Sequence, residues 1–309
     1  MTETQFLYNP KDRGSYCHCP TLLECRSGDL LVAWYVYPEE EHVGATLALA
    51  RKPRGHTGWS ASHLLFEPGM HSLGNPVLFE EPGGERIGLL FVSLKGSYWN
   101  DAQLQGTWSR DGGITWSRPV PLWNQAGLMV RHPPVVLENE VLLLPAYEEK
   151  TRRSVLLTSR PPWETWEEHY RFHDLELIQP VVVRDPRGQL TILFRPCGEP
   201  RRIWRSHSTD EGRSWSGPLR TPLPSPLSGI GVFPVNGGLA VVHNHTREHR
   251  RYPLSISVTR DGGTTWDPPR HIDTIEKEVS YPSFVKGQSG LIHGVYTYNR
   301  RMIKYVALT

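Results

Sequence analysis

Six places in the chain set a polar side chain at, or just before, the start of a short apolar run rich in β-branched residues. They are His18 before Cys19-Pro20-Thr21-Leu22-Leu23, Asn75 before Pro76-Val77-Leu78-Phe79, Arg131 and His132 before Pro133-Pro134-Val135-Val136-Leu137, Gln179 before Pro180-Val181-Val182-Val183, Ser228 before Gly229-Ile230-Gly231-Val232, and Tyr281 before Pro282-Ser283-Phe284-Val285. Together they offer imidazole, amide, guanidinium, hydroxyl and phenol groups, a set suited to holding a polar ligand in a solvated pocket. His18 is a candidate acid/base, because an unperturbed imidazole titrates near about 6.5. Tyr281 as a neutral phenol, with a pKa near about 10, is a poor nucleophile and needs a base and nearby cations. Cys17-His18-Cys19 has the letters of a zinc site, but no second ligand pair accompanies it, and neither a metal nor another cofactor is called for.

The elements that must position these groups are set by a repeat. Ser109-Arg110-Asp111-Gly112-Gly113-Ile114-Thr115-Trp116 recurs as Ser208-Thr209-Asp210-Glu211-Gly212-Arg213-Ser214-Trp215 and as Thr259-Arg260-Asp261-Gly262-Gly263-Thr264-Thr265-Trp266. A worn copy from Ser159 to Trp166 keeps the Ser, Thr and Trp, and a fainter trace ends at Trp59. The closing tryptophans, 59, 116, 166, 215 and 266, are 57, 50, 49 and 51 residues apart, a period that indicates a solenoid, a propeller or an array. The motif suits a hairpin turn: Gly takes positive φ, the Asp carboxylate accepts turn N–H groups, and the Trp wedges between units. With 28 Gly, 27 Pro and 11 Trp and few long helical patterns, the composition is all-β. The six polar-to-apolar starts then open six blades. The last blade, Tyr281 onward with Leu291–Tyr298 and Met302–Leu308, is short of a fourth strand, which the segment around Gln5–Tyr8 is placed to supply, closing a ring of sheets. One domain over residues 1–309 is expected, with the inner strand starts lining a central channel.

The three good repeats are Asp-boxes, also called BNR repeats, and the chain resembles the sialidase superfamily of six-bladed β-propellers over nearly its whole length. In that superfamily the Asp-boxes are structural turns. The resemblance implies an active site in which three arginines hold a substrate carboxylate, a Tyr activated by a Glu attacks, and an Asp in a blade-one loop is the acid/base. Tyr281, in Tyr281-Pro282-Ser283, matches the nucleophile. Arg251, eight residues ahead of the last Asp-box, resembles the third arginine, and Arg195, closing Thr191-Ile192-Leu193-Phe194-Arg195, the second. The first family arginine is replaced by His18-Cys19-Pro20, and Arg131 is a substitute source of charge. The glutamate position is Gln179, which cannot take a proton, so Glu278 or Glu148 is the candidate partner for Tyr281. For the acid/base, the blade-one loop holds Glu39, Glu40, Glu41 and His42, with no choice among them.

The formal net charge of +2 implies neither a nucleic-acid nor a membrane partner, and no apolar run reaches the length of a membrane-crossing helix. The polar start, Met1–Pro10, has no signal-peptide core, so a cytoplasmic location is expected. The four cysteines make no disulfide framework. The expected function is a sialidase-like glycoside hydrolase acting on a glycan or small glycoside with an acidic sugar, using Tyr281 with Glu278, Glu148 or His18, and binding through Arg195, Arg251, Arg131, Gln179 and Asn75. Elimination beside a uronate carboxylate, a biosynthetic use of the same pocket, and a non-catalytic propeller binding a glycan or a protein are the alternatives.

Overall fold

Period-two runs of Val, Ile, Leu and aromatic residues between Gly, Pro and Asp turns become strands, as their alternation dictates. The computed structural model describes residues 3–8, 16–38, 44–67, 69, 71–96, 98–185 and 187–309. Glu39, Glu40, Glu41 and His42 lie outside the described residues. The strands form six antiparallel sheets in which sequence neighbours pair, and the fold class is an all-β, six-bladed β-propeller. Two single-turn 3-10 segments, Trp99–Asp101 and Glu138–Glu140, are the helical elements among the described residues.

The residues group into two compact units, Met1–Val130 with Pro282–Thr309, and Arg131–Tyr281. The first unit contains the sheet Tyr16–Glu24, Leu30–Tyr37, Thr46–Lys52 and His63–Leu64, and the sheet Ser72–Glu80, Ile87–Leu94, Ala102–Ser109 and Val120–Pro121. It also contains the strands Ile292–Tyr298 and Met302–Leu308 of the last sheet. The N-terminal strand Glu3–Phe6 pairs antiparallel with Met302–Leu308, Gln5 opposite Tyr305, and supplies the fourth strand that this blade lacks. Its core gathers Trp34, Tyr305, Val32, Val36 and Val295, all buried.

The second unit holds Leu142–Glu148, Arg153–Ser159 and Glu167–Arg171, then Leu177–Arg184, Leu190–Pro196, Arg202–Ser208 and Leu219–Pro224, then Gly231–Val235, Gly238–Asn244, Leu254–Thr259 and Arg270–Asp273. Its core joins Leu143, Leu156, Phe172, Ile192 and Phe194, with a neighbouring cluster on Val181, Ile203 and Val241. The run after His132 makes only the two-residue strand Val135–Val136 against Leu142 and Leu143. Pro133 and Pro134 have no N–H to give a ladder, which shortens the strand expected there.

The Asp-boxes are satisfied turns. In the first, the Ser109 hydroxyl accepts the Gly113 N–H (2.8 Å) and donates to Asp111 Oδ1 (2.8 Å). Asp111 accepts the Thr115 N–H (2.9 Å) and hydroxyl (2.5 Å), and the Trp116 indole donates to the Gly113 carbonyl. The same bonds recur around Asp210 and Asp261. Hydrogen bonds from the Ser214 hydroxyl and N–H bring the Asp210 carboxyl down to about 2. Where the other two boxes have a second glycine, this box has Glu211 at φ 58°, and its carboxylate grips Arg184 through two 2.8 Å contacts. The worn copy shows what the lost Asp and Gly did: the Ser159 hydroxyl, without an Asp to donate to, and the Trp166 indole N–H, without the Gly carbonyl, are buried with no hydrogen-bond partner among the described residues.

One further local device recurs at the strand starts singled out in the sequence. Cys19, Asn75, Gln179 and Tyr281, each followed by Pro, have φ of 58°, 48°, 48° and 54°. The ladder register shifts between His18 and Thr21, Gly74 and Val77, and Ile178 and Val181. The proline breaks the ladder, the bulge re-aims the preceding side chain, and a left-handed non-glycine residue costs on the order of 1–2 kcal/mol. Strain of this kind, repeated at equivalent places, is characteristic of functional strand ends.

Candidate active site

Tyr281 is the centre of a cationic cluster within the second unit. It opens the strand Val279–Lys286 and is 9% exposed. Arg195, next to the end of Leu190–Pro196, donates from Nη1 to the Tyr281 hydroxyl oxygen at 3.1 Å. Arg131 is 2% exposed; its Nη2 donates to the Tyr281 carbonyl at 3.0 Å and its guanidinium carbon lies 5.5 Å from the ring centroid. The Arg251 guanidinium carbon lies 5.4 Å from the same ring. Three guanidiniums thus converge on one phenol from residues scattered along the chain, two of them within cation–π range. The strand start is fixed by the Asn244 amide donating to the Val279 carbonyl (2.8 Å) and by the Val279 N–H donating to the Arg251 carbonyl (2.9 Å).

The carboxylates near the cluster have distinct assignments. Glu278 pairs with Arg251 Nη1 at 2.9 Å and accepts the Ser280 hydroxyl at 2.6 Å, so it holds the arginine. Glu148 belongs to another group: it pairs with Arg171 at 2.8 Å and accepts the Thr151 hydroxyl at 2.8 Å. Burial opposes its ionisation, but the Thr151 and Arg171 bonds outweigh burial and hold the carboxyl below its ordinary value. The carboxylate on the Arg195 side is its neighbour Glu149, which the sequence reading passed over. Burial raises the Glu149 carboxyl above its ordinary value, against the pull of Arg195 and then Arg152. Glu148 is the last residue of the strand Leu142–Glu148, and Glu149 is the first residue of the turn that follows it.

Tyr147 and Gln179 complete the surroundings. Burial first, then the Glu149 charge, push the Tyr147 phenol up, while the Gln179 amide bonds to it and Tyr281 and Arg195 lie within electrostatic reach. Gln179 is buried, and its Oε1 has no hydrogen-bond donor among the described residues. A Cβ at Gly229 would lie 3.0 Å from Tyr281 Cδ1 and 3.4 Å from Gln179 Oε1, so a side chain there would crowd both. Tyr281 and Gln179 therefore both border one bare backbone position.

His18 and Asn75 belong to the first unit. His18 is buried and meets the Tyr35 ring edge-on at 5.8 Å. Asn75 Oδ1 is 3.4 Å from the Cys19 sulfur, and the Cys19 N–H donates to the Thr297 hydroxyl. The Cys17 thiol is raised well above its ordinary value by burial, against the Arg301 charge, which keeps it protonated. Among the described residues no group of three or more His, Cys, Asp or Glu is placed to hold a metal ion.

Two buried histidines give the second unit a pH response. Burial, then the adjacent Arg131, hold His132 well below its ordinary value. Burial, then His245, bring His243 down to about 3, with its ring nitrogens at the Pro224 carbonyl (3.3 Å) and the Ser257 hydroxyl (3.2 Å). Both are neutral in the folded chain, and unfolding frees them to bind protons below 6.5. Their contribution is therefore complete above that pH and is lost as pH falls toward the folded value, approaching about 1.4 kcal/mol per unit for each histidine. Urea unfolding at about pH 7 and about pH 5 is expected to show a lower midpoint at the acid pH, and His243→Gln to flatten the slope. Equal midpoints would contradict the assignment.

Residues 28–293 match the family model for the BNR repeat-like domain, and the chain belongs to that family. No curated protein matches the sequence at a significant level. Solved structures with the same fold include the Hadza microbial sialidase Hz136, at 16% identity and a TM-score of 0.84 over 99% of this chain and 68% of that one. The leech intramolecular trans-sialidase, solved with 2,7-anhydro-Neu5Ac, has 13% identity and a TM-score of 0.83 over 100% and 70%. The intramolecular trans-sialidase from Ruminococcus gnavus, solved with oseltamivir carboxylate, has 14% identity and a TM-score of 0.80 over 98% and 96%. At these identities the likeness is one of fold, the six-bladed β-propeller that these sialidases share with this chain.

Proposed function

We propose that the protein is a sialidase-type glycosidase acting on a sugar that bears a carboxylate, with the Tyr281 cluster as its site. The observation that carries this reading is the convergence of Arg195, Arg131 and Arg251 on Tyr281. Arg195 and Arg251 are part-exposed and offer planar forks to a carboxylate, while the buried Arg131 fixes the tyrosine backbone. Tyr281 Oη forms the bond to the anomeric carbon as the bond to the aglycone oxygen breaks. The phenol proton passes to Glu149, the carboxylate on the Arg195 side, and the aglycone oxygen takes a proton from solvent water, to which Glu149 gives up the phenol proton. Water then cleaves the tyrosyl–sugar bond, its hydroxyl going to the anomeric carbon and its other proton to Tyr281 Oη. The hydrogen bond from Arg195 to the phenol oxygen strengthens as charge builds there, a preference for the transition state over the ground state. Support for an acidic sugar is the excess of guanidinium over carboxylate around the ring; support for a sugar at all is the family fold.

The test is a panel of chromogenic sialosides, uronides and neutral glycosides, with products checked for hydrolysed against unsaturated sugar. Turnover confined to the acid-bearing members is expected. No turnover of any member would remove the enzymatic reading, and an unsaturated product would replace hydrolysis by elimination.

Gln179 favours a second reading, a pocket that binds an acidic sugar without turning it over, because an amide cannot accept the phenol proton. Gln179→Glu separates the two. If the wild type lacks a working base, the variant is expected to gain about 10²-fold in release of aglycone. An enzyme that already uses Glu149 is expected to gain nothing, since a second buried carboxylate adds desolvation cost without a new role.

A further inference from the structure

Two loops spring from the strands that carry the site, and they are joined to each other. Residues 197–201 follow the strand that ends just after Arg195. Residues 245–250 run from Asn244 to Arg251, and both of these anchors are hydrogen-bonded to Val279, two residues before Tyr281. Arg201 bridges the loops: its Nη1 donates to the Arg247 carbonyl at 2.8 Å, and its Nη2 meets His249 Nε2. The rim is therefore fixed to the same strand ends as the Tyr281 cluster.

The rim is cationic. Residues 197–202 and 245–250 contain four arginines against two glutamates. Both glutamates are taken up by their own loops, Glu199 by Arg201 at 2.9 Å and Glu248 by Arg250 at 3.0 Å. Arg202 donates to the Pro222 carbonyl and has no acidic partner among the described residues. The Arg247 side chain is exposed and has no acidic partner among the described residues. The cluster around Tyr281 already accounts for a first anion, the sugar carboxylate, through Arg195 and Arg251. Arg247 is additional to it, on a loop that Arg201 bridges to the end of the Arg195 strand.

We infer that this rim recognises a second anion on the substrate, a sulfate or phosphate monoester carried by the aglycone of the acidic sugar. The inference rests on the glycosidase reading for the site but has its own observable. Guanidinium forks suit tetrahedral oxyanions, and a charge-assisted contact at a part-exposed rim is worth about tenfold in affinity.

The experiment measures equilibrium binding to the Tyr281→Phe protein, at low ionic strength, of three sialosides that differ only in a neutral, sulfated or phosphorylated aglycone, alongside wild-type turnover of the same three compounds. Binding of both ester-bearing sialosides about tenfold tighter than the neutral one, with the advantage removed by Arg247→Ala, is expected. A preference for only one ester would narrow the source to that ester. Equal binding of all three, or a preference that survives Arg247→Ala, overturns the rim while leaving the glycosidase reading standing if wild type turns them over. An ester preference without any turnover keeps the rim and removes the glycosidase. Binding of none of the three overturns both.

Discussion

Replacing Tyr281 by Phe is expected to lower kcat on the best acidic glycoside by about 10³-fold or more, with little change in KM. The size follows from what the substitution removes. Phe keeps the ring that lies 5.4 Å and 5.5 Å from the Arg251 and Arg131 guanidinium carbons. It keeps the backbone carbonyl that accepts Arg131 and the contact distance to Gly229. Only the hydroxyl is lost, and with it the atom that would bond to the anomeric carbon. Arg195 Nη1 loses an acceptor, but the side chain is part-exposed and water can replace it, so the stability cost stays near about 1 kcal/mol. Thermal unfolding of the variant beside its turnover checks this. A kcat within tenfold of wild type, in a variant that unfolds at the wild-type temperature, would remove Tyr281 as nucleophile.

The turns and blade frame were legible in the sequence because each Asp-box is a local object. Ser109, Asp111, Gly113, Thr115 and Trp116 bond mainly within their own eight residues, so their types and spacing encode the turn directly. Blade starts were legible through the X-Pro dipeptides at Asn75, Gln179 and Tyr281. Their left-handed backbone was not, because nothing in a tyrosine or glutamine announces positive φ. The convergence of Arg131 and Arg195 on Tyr281 spans 150 and 86 residues and depends on how sheets pack, which spacing alone cannot encode. Resemblance to the sialidases pointed to Arg195 and Arg251, and the coordinates bring them together at the Tyr281 ring. Glu149 was not legible in the same way: it lies in the turn after Leu142–Glu148, and its nearness to Arg195 depends on how that turn lies against the next sheet, while Arg171 in its own sheet accounts for Glu148.

Arg195→Gln is expected to reduce kcat/KM for an acidic glycoside by about 10²–10³-fold, the second-largest effect at the site. Arg195 has two duties in the proposed chemistry, and they separate in a double-mutant cycle. Its bond to the Tyr281 oxygen acts only while that oxygen is present, so this share of the loss belongs to kcat and runs through Tyr281. Its fork to the substrate carboxylate acts on binding and is independent of the phenol. In the Tyr281→Phe background, Arg195→Gln is therefore expected to leave the residual kcat nearly unaltered while raising KM for the acidic sugar by about tenfold to a hundredfold. The same substitution on a substrate whose carboxylate is converted to an amide is expected to move KM little, since a neutral group gains less from the guanidinium charge. Losses in kcat that multiply across the two variants would show that Arg195 acts on the reacting centre by a route other than the Tyr281 oxygen. A KM effect of equal size on the acid and the amide would show that it does not hold the carboxylate. Arg195→Lys refines the second point: it retains the charge but not the planar fork, so recovery of most of the affinity would make the contact a simple charge attraction, and recovery of little would make it bidentate.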